Sequence, residues 1–277
     1  MSVLLVEVVP QGIIFGADRN VTQFIQHQGK GAITEIRGQS QRPKVLRWPR
    51  RKALIGYVGD AQIGGVPTDE WLYDFIGDHL TFSNFADLSE SLRASVEKQR
   101  SIDEGGSGAQ PLIIHLGGFE ERDGVKVPVI WYIRNTYSVG EDLYGGVRKE
   151  FEHSEEFWRY FPNSSPLDIR ATLAERSARY DPFWFHQGFD LGTFNLIEVF
   201  LKGAFRVLSE NRPLDHPLPS TLSEWEKQIR MSILTYAAYF EAYKGPGEQF
   251  VGGGADTVSI EWPQGEGLRP DALHLPR

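Results

Sequence analysis

Two short apolar runs begin the chain, Val3 to Val9 and Ile13 to Ala17, and Pro10-Gln11-Gly12 separates them. Runs that are apolar and β-branched throughout are typical of strands covered on both faces, and a Pro/Gly turn between them indicates a hairpin. The same reasoning predicts two further pairs of strands. They lie at 44–48 with 52–58 and at 111–119 with 125–134.

Apolar residues spaced three and four apart predict four amphipathic helices. These helices span 60–80, 85–102, 191–209 and 220–244. Residues 256–262 alternate between apolar and polar side chains, which predicts a closing strand. Residues 20–43 are rich in Gln and Gly without clear periodicity, so we expect a long loop there. Residues 137–190 are aromatic but interrupted by prolines, and we interpret them as an inserted subdomain or an oligomer contact.

The predicted order is four strands, two helices, two strands, two helices and a final strand. Strand pairs that alternate with helix pairs favour an α+β fold, in which two antiparallel sheets are stacked between helical layers as a four-layer αββα sandwich. We expect a single domain over residues 1–262, with the segment 137–190 inserted in it. Residues 263–277 are rich in Pro and Gly and are expected to form an extended tail.

Charge and composition exclude several classes of protein. The 277 residues include 29 Lys and Arg against 37 Asp and Glu, which gives a formal charge of -8. This acidic balance lacks the electrostatic footprint of a nucleic-acid-binding protein. No apolar run approaches the roughly 18 residues of a membrane helix, and the N-terminus lacks the pattern of a signal peptide. We therefore expect a cytoplasmic protein with neither a nucleic-acid nor a membrane partner.

The chain has no cysteine, so a nucleophile would be a hydroxyl, an amine or a carboxylate. Neither the glycine run nor the histidines of the chain form a cofactor motif. The glycine run at 252–254 lacks the G-x-x-x-x-G-K-S/T pattern and precedes a predicted strand, which argues against a phosphate loop. The histidines, among them His186 and His216, lack a ligand spacing such as H-E-x-x-H. No cofactor and no metal are predicted.

The end of the first hairpin carries a more specific pattern. Residues 17–22 read Ala-Asp-Arg-Asn-Val-Thr, and Asp18 lies sixteen residues after Ser2. This resembles the start of proteasome β-type subunits and their bacterial relatives, whose second strand ends in A-D-x-x-x-T. In that family the motif aspartate lies sixteen residues after an N-terminal nucleophile.

Two further motifs support the resemblance. Lys44-Val45 stands where the family has a lysine at the start of its third strand, and Val58-Gly59-Asp60 stands at its glycine turn. The resemblance covers residues 1–134 well and is weaker beyond them. Residues 248–253 stand at the family motif D-x-x-S-G-G, but Glu248 replaces the aspartate and Val251 the serine. Ser138 is the nearest candidate for the family's other auxiliary serine.

The resemblance implies that Ser2 is the nucleophile once Met1 has been removed, and that the α-amine of Ser2 is its base. It implies roles for four groups of further residues. These are Asp18 and Lys44 beside the hydroxyl, Gly59 as the backbone donor to the oxyanion, and Thr22 on the substrate backbone, with Glu248 and Ser138 as auxiliary residues.

The function implied is that of a proteasome-like peptidase or amidohydrolase of the N-terminal-nucleophile class, acting through an acyl-enzyme on peptides or unfolded proteins. A ring-like homo-oligomer is also implied. Three alternatives stay open: a non-catalytic structural subunit, a transpeptidase, and an amidase for small molecules. Taken singly, Asp18 also fits a turn residue at a strand end, and Lys44 an ordinary surface lysine.

Overall fold

The computed structural model describes residues 2–26, 34–48, 53–79, 82–103, 110–136, 147–188, 191–211, 219–243 and 251–263. The described part contains thirteen strands and five α-helices. The strands are β1 Val3–Val9, β2 Gly12–Asp18, β3 Asn20–Gln26, β4 Thr34–Gln41, β5 Val45–Trp48, β6 Ala53–Gly59, β7 Gln62–Ile63, β8 Val66–Pro67, β9 Leu112–Arg122, β10 Val125–Arg134, β11 Glu152–Glu155, β12 Phe183–Gly188 and β13 Ala255–Glu261. The helices are α1 Thr68–Asp78, α2 Phe85–Asp103, α3 Ile169–Ala178, α4 Leu191–Asn211 and α5 Leu222–Tyr243.

Two antiparallel sheets form the centre of the fold. The first has the strand order β12-β1-β2-β13 and the second the order β11-β10-β9-β6-β5. Every residue of β1 and β2 is buried, which confirms the prediction from their continuous apolar runs. Register pairs such as Leu4 with Ala17 place the first residues of β1 beside the last residues of β2. The start of the chain therefore lies next to Asp18.

Side-chain alternation along β1 places its residues in two separate cores. Leu4 and Val6 pack in the cluster that includes residues of both sheets, whereas Val3 and Leu5 pack with Trp225 of α5. Helices α1 and α2 pack on the second sheet, in a further apolar cluster. The structure is therefore mixed, with antiparallel sheets and packed helices, consistent with the α+β class that the sequence predicts.

Residues 20–43 differ from the prediction of a long loop. They contain β3 and β4, which pair with each other from Asn20 opposite Gln41 to Gln26 opposite Thr34. The two strands form a separate ribbon and join neither large sheet. Their side chains are largely polar, and a bulge between Thr22 and Phe24 interrupts the alternation, so the period-two signal of a half-buried strand is lost.

Two element boundaries also differ from the prediction. The helix expected from residue 60 begins at Thr68, because a short hairpin of β7 and β8 precedes it. Its turn is Gly64-Gly65, and both glycines have positive φ. Strand β9 continues to Arg122 and meets β10 through Asp123-Gly124, again with positive φ at both residues. Such two-residue turns suit a hairpin, so the strands run closer to the turn than expected.

The described part of the segment 137–190 supplies one strand to each sheet. Strand β11 pairs with β10, and β12 pairs with β1. The aromatic side chains of Phe157, Phe161 and Phe183 lie in the cluster shared by the two sheets. These residues therefore belong to the main core. The tail predicted at 263–277 lies outside the described residues, apart from Pro263.

A group of buried ionisable side chains lies between β1 and α4. Glu7 is 1% exposed, and Glu198 and Lys202 of α4 are also buried. The Nζ atom of Lys202 is 3.3 Å from Glu198 Oε2, 4.0 Å from Glu7 Oε1 and 4.2 Å from the centre of the Trp184 ring. Burial raises the pKa of Glu7 to about 8; Lys202 opposes this shift and Glu198 adds to it.

The wild-type protein is expected to lose unfolding free energy as the pH rises, because Glu7 is buried. The variant Glu7→Gln is expected to abolish this loss. The folded protein keeps the Glu7 proton up to about pH 8, whereas the unfolded chain releases it near pH 4.5. The wild-type protein therefore loses about 1.4 kcal/mol per pH unit from this group as the pH rises between these values. Urea unfolding measures this effect. Between pH 5 and pH 8, the unfolding free energy of the variant should rise by about 3 kcal/mol relative to that of the wild-type protein.

Glu121→Gln is the control for this prediction, because Glu121 is a strand glutamate whose side chain is 61% exposed. It is expected to leave the pH dependence of unfolding unchanged. Parallel pH curves for Glu7→Gln and the wild-type protein would show that Glu7 is ionised in the folded state, against the prediction.

Candidate functional site

A buried ion pair joins the end of β2 to the start of β5. Asp18 is the last residue of β2 and Lys44 directly precedes β5; their side chains are 0% and 2% exposed. The Nζ atom of Lys44 lies 3.0 Å from Asp18 Oδ1. Two residues that the sequence predicts to share a site, 26 positions apart, are thus in direct contact. The burial of Lys44 does not fit an ordinary surface lysine, whereas Asp18 does lie at a strand end, as its alternative interpretation expects.

The carboxylate of Asp18 accepts four hydrogen bonds. Oδ1 accepts the backbone N–H of Val3 at 2.9 Å in addition to Lys44. Oδ2 accepts the backbone N–H groups of Asn20 at 3.2 Å and Gly252 at 3.3 Å. Lys44 also donates to the Asn20 carbonyl. Because desolvation of a buried pair is costly, this complete set of partners is what makes the arrangement tolerable.

Burial affects both members of the pair. It raises the pKa of Asp18, an effect that Lys44 and the backbone N–H groups oppose. It lowers the pKa of Lys44, an effect that Asp18 opposes. The two shifts bring the proton affinities of the two groups closer together than in water. Lys44 therefore releases a proton more easily than an exposed lysine would.

Ser2 lies at the beginning of β1 and is 6% exposed. The next residue, Val3, donates its N–H to Asp18, so the backbone beside Ser2 is anchored to the ion pair. Strand β1 pairs with β2 on one side and β12 on the other. Its position is thus held from both edges.

A glycine loop before β13 folds over Asp18. In addition to the Gly252 N–H bond to Asp18, the Gly252 carbonyl accepts the N–H groups of Arg19 and Asn20, both at 3.1 Å. Gly253 has a φ of +69°, and a Cβ there would lie 2.7 Å from Asn20 Oδ1. In the sequence this run does not fit a phosphate loop, and its first two glycines stand at the family motif D-x-x-S-G-G. Its contact with Asp18 was missed, although adjacent glycines before a strand could have indicated a close backbone approach.

Gly59 ends β6 with a φ of +105°, and a Cβ at this position would lie 2.1 Å from the Pro111 carbonyl oxygen. Only glycine fits this backbone and this contact. Thr22 lies in β3 opposite Gln39, and its side chain is outside the described set. The roles of Gly59 and Thr22 stay predictions.

The two auxiliary residues, Ser138 and Glu248, lie outside the described residues. Val251, at the place of the family's serine, is buried in the cluster formed with α5. It contributes apolar packing there. The predicted roles of Ser138 and Glu248 stay predictions.

Comparison with protein-family models finds no match, and comparison with curated proteins finds none either. Among solved structures, the chain is similar to a mutant of Anbu from Hyphomicrobium sp. strain MC1. The two are 14% identical with a TM-score of 0.46, over 94% of this chain and 82% of that chain. At this TM-score the likeness carries no argument. The function must therefore be inferred from the site's own geometry.

A cleft of about 300 Å³ lies beside the start of β5 and the first turns of α1. Its lining residues are Pro43, Leu46, Asp69, Glu70, Tyr73 and Asp74. Arg42 partly neutralises this acidic lining, because its Nη1 atom lies 3.0 Å from Asp69 and 2.8 Å from Glu70. The cleft begins next to Lys44 in the chain and can accommodate a side chain.

The described residues form neither a cluster of metal ligands nor a membrane-spanning helix. Among the described residues, no group of three or more His, Asp or Glu side chains is arranged to hold a metal ion. No helix within the described ranges combines the length and the apolar character needed to cross a membrane.

Proposed function

We propose that this protein is an N-terminal-nucleophile hydrolase of the proteasome β-subunit type, which cleaves amide bonds through Ser2. The observation that carries the proposal is the buried Asp18–Lys44 pair, whose carboxylate also holds the Val3 amide next to Ser2. The contacts of the two sheets with each other and with the helices support a four-layer αββα arrangement as part of this proposal.

The proposed reaction begins when the hydroxyl proton of Ser2 passes to the α-amine, which is free once Met1 is removed. The Ser2 oxygen then bonds to the substrate carbonyl carbon, and the N–H of Gly59 stabilises the oxyanion by roughly 3 kcal/mol. The C–N bond breaks as the leaving nitrogen takes the proton from the α-ammonium. Water attacks the ester, releases the acid and restores the hydroxyl.

Lys44 and Asp18 act on the first step of this reaction. A lysine beside the Ser2 hydroxyl lowers the cost of forming an alkoxide-like oxygen, either by its charge or by relaying the proton. Asp18 fixes the direction of the Lys44 ammonium through a 3.0 Å contact. The same carboxylate binds the Val3 N–H, so one group positions both the lysine and the backbone of the nucleophile.

The substrates we propose are peptides or unfolded proteins, and the assembly is a ring-like homo-oligomer in the cytoplasm. These points follow from the resemblance of the sequence motifs. The cleft beside β5 supports a peptide substrate, because it is large enough for a side chain and is lined by Pro43, the residue before Lys44.

A non-catalytic structural subunit is the second candidate. The observation in its favour is the burial of Ser2, which leaves 6% of the residue exposed. A hydroxyl that stays covered cannot reach a carbonyl carbon.

Mass spectrometry after treatment with a peptide epoxyketone tests the proposal. This probe bonds to both the hydroxyl and the α-amine of one N-terminal residue, so it requires Ser2 with Met1 removed. We expect the intact mass to lack one methionine and to increase by one equivalent of probe. Peptide mapping is expected to place the adduct on Ser2.

Ser2→Ala should form no adduct, whereas Ser164→Ala, in a loop after β11, should react like the wild-type protein. Retention of Met1, or a mass without methionine that still takes up no probe, would favour the structural subunit instead.

A further inference from the structure

The end of β6 is held against the start of β9 by a short backbone contact. Asp60 follows Gly59 directly, and its N–H donates to the Pro111 carbonyl at 2.7 Å. A Cβ on Gly59 would lie 2.1 Å from that same carbonyl oxygen. The peptide units on both sides of Gly59 therefore have little freedom to rotate as long as the Asp60 contact is made.

The direction of the Gly59 N–H follows from its neighbours along the strand. Tyr57 donates its N–H to the Lys44 carbonyl at 3.0 Å, on the β5 side. Asp60 donates on the opposite side, to Pro111. Because successive residues of a strand direct their N–H groups to opposite sides, the Gly59 N–H points to the β5 side, past Lys44. This is the side on which the Asp18–Lys44 pair lies.

Both the side chain and the backbone of Asp60 form hydrogen bonds. One carboxylate oxygen, Oδ2, lies 2.6 Å from Arg100 Nη2, and the other, Oδ1, accepts the Gln62 N–H at 3.2 Å. The Asp60 carbonyl accepts the hydroxyl of Thr68, the first residue of α1, at 2.9 Å. The residue after Gly59 is thus tied to two helices, since Arg100 belongs to α2.

Arg100 bridges the two segments of the chain that meet at Gly59, the end of β6 and the start of β9. While Nη2 contacts Asp60, Nη1 donates to the Gln110 carbonyl at 2.7 Å. Gln110 directly precedes Pro111, whose carbonyl is the contact for Gly59 and Asp60. The side chains of Arg100 and Asp60 are largely buried, at 11% and 23% exposed. A planar guanidinium can bind two acceptors at once in fixed directions, which a lysine cannot do.

We infer that Arg100 is a positioning residue for the oxyanion donor: by clamping Asp60 and Gln110 together, it holds the Gly59 N–H toward the nucleophile. This rests on the proposed function of Ser2 and Gly59 and extends it to a residue of α2 that touches no substrate. Loss of the clamp lets the Gly59 peptide turn away. A displacement of about 1 Å at such a donor can cost about a hundredfold in rate.

The test compares Arg100→Gln and Arg100→Lys with the control Arg93→Gln, which removes two ion pairs that lie within the same helix. For peptide hydrolysis we expect kcat of Arg100→Gln to fall about tenfold to a hundredfold, with KM changed less than about twofold. Arg100→Lys should recover only part of this loss, and Arg93→Gln should show the wild-type kcat. Equal kcat for Arg100→Gln and Arg93→Gln would overturn the inference.

A peptide boronate gives an independent readout of the oxyanion donor. Its boron bonds to the Ser2 oxygen while the hydroxyl proton passes to the base, and the resulting tetrahedral anion occupies the oxyanion position. Its affinity for Arg100→Gln should fall by about the same factor as kcat, because only the anion senses the Gly59 N–H. An equal loss in boronate affinity and in KM would show a general structural defect and would overturn the inference.

Hydrogen exchange at the Asp60 amide separates failure of the inference from failure of the proposed function. Exchange in Arg100→Gln should be at least about tenfold faster than in Arg93→Gln, because the contact with Pro111 opens more often. Unchanged exchange would overturn the inference even if the enzyme is active. A wild-type protein that forms no boronate adduct would overturn the proposed function, and with it the catalytic role of the clamp.

Discussion

The variant Lys44→Met is expected to lose about 3 to 5 kcal/mol of unfolding free energy. Lys44 is the cation that compensates the Asp18 carboxylate, and both side chains are withdrawn from water. Methionine keeps the length of the side chain but leaves that carboxylate without its counter-charge. Guanidinium unfolding at neutral pH measures the loss.

The double variant Asp18→Asn with Lys44→Met should be about 2 kcal/mol more stable than Lys44→Met alone, because no uncompensated charge then stays buried. Recovery is partial, since an amide at position 18 presents its NH₂ group to N–H donors such as that of Gly252. Arg19→Met is the control. It breaks a partly exposed pair with Asp256 and should cost less than about 1 kcal/mol. Equal stability of the single and double variants would contradict the coupling.

Hydrolysis separates the structural and catalytic roles of this pair. Both the single and the double variant are expected to lose about a hundredfold to ten-thousandfold in kcat, even where stability recovers, because neither retains the lysine that we propose activates the Ser2 hydroxyl. Arg19→Met should keep the wild-type rate. A double variant that regains activity together with stability would show that Lys44 serves only the fold.

Acid is expected to destabilise the protein through His115. This residue lies on β9 between the sheets, is 1% exposed, and neither ring nitrogen has a hydrogen-bond partner within the described residues. Burial lowers the pKa of His115 to about 3, and Arg134 adds to this shift. The unfolded chain binds the proton near pH 6.5, so folded and unfolded states differ by one proton between these values.

The sign of this effect follows from proton linkage. A base whose pKa is lowered by folding contributes a loss of stability as the pH falls below its unfolded value. His115 therefore costs about 1.4 kcal/mol for each pH unit between about 6.5 and 3. The variant His115→Leu is expected to remove this slope. Urea unfolding between pH 6.5 and 4.5 measures it, above the range in which most carboxylates titrate.

His186→Gln is the comparison for this prediction. Burial lowers the pKa of His186 to about 4, with Lys202 contributing, so this variant should remove a similar slope in the same window. The contribution of Glu7 to the pH dependence is common to the wild-type protein and both variants, so it cancels in the comparison. If the unfolding free energy of His115→Leu depends on pH as steeply as that of the wild-type protein, His115 is hydrated when the protein is folded.

Local patterns predicted much of the fold because burial leaves a periodic signal in the chain. The strands predicted from the apolar runs of β1 and β2 and the closing strand β13 were confirmed, as were helices α2, α4 and α5. The polar ribbon of β3 and β4 was missed, because it lies outside the two large sheets and its strands pair with each other. Periodicity reports contact with a core, and a ribbon of this kind gives little such signal.

The sequence by itself indicated the α+β class, and its resemblance to the proteasome β-type family indicated that Asp18 and Lys44 share a site, which their contact confirms. The tertiary structure decided how that site is held. The Gly252 N–H reaches Asp18 from 234 residues away, and Arg100 reaches Asp60 from 40 residues away. Such contacts depend on how sheets and helices pack, and a one-dimensional pattern carries no information about which distant polar groups will meet.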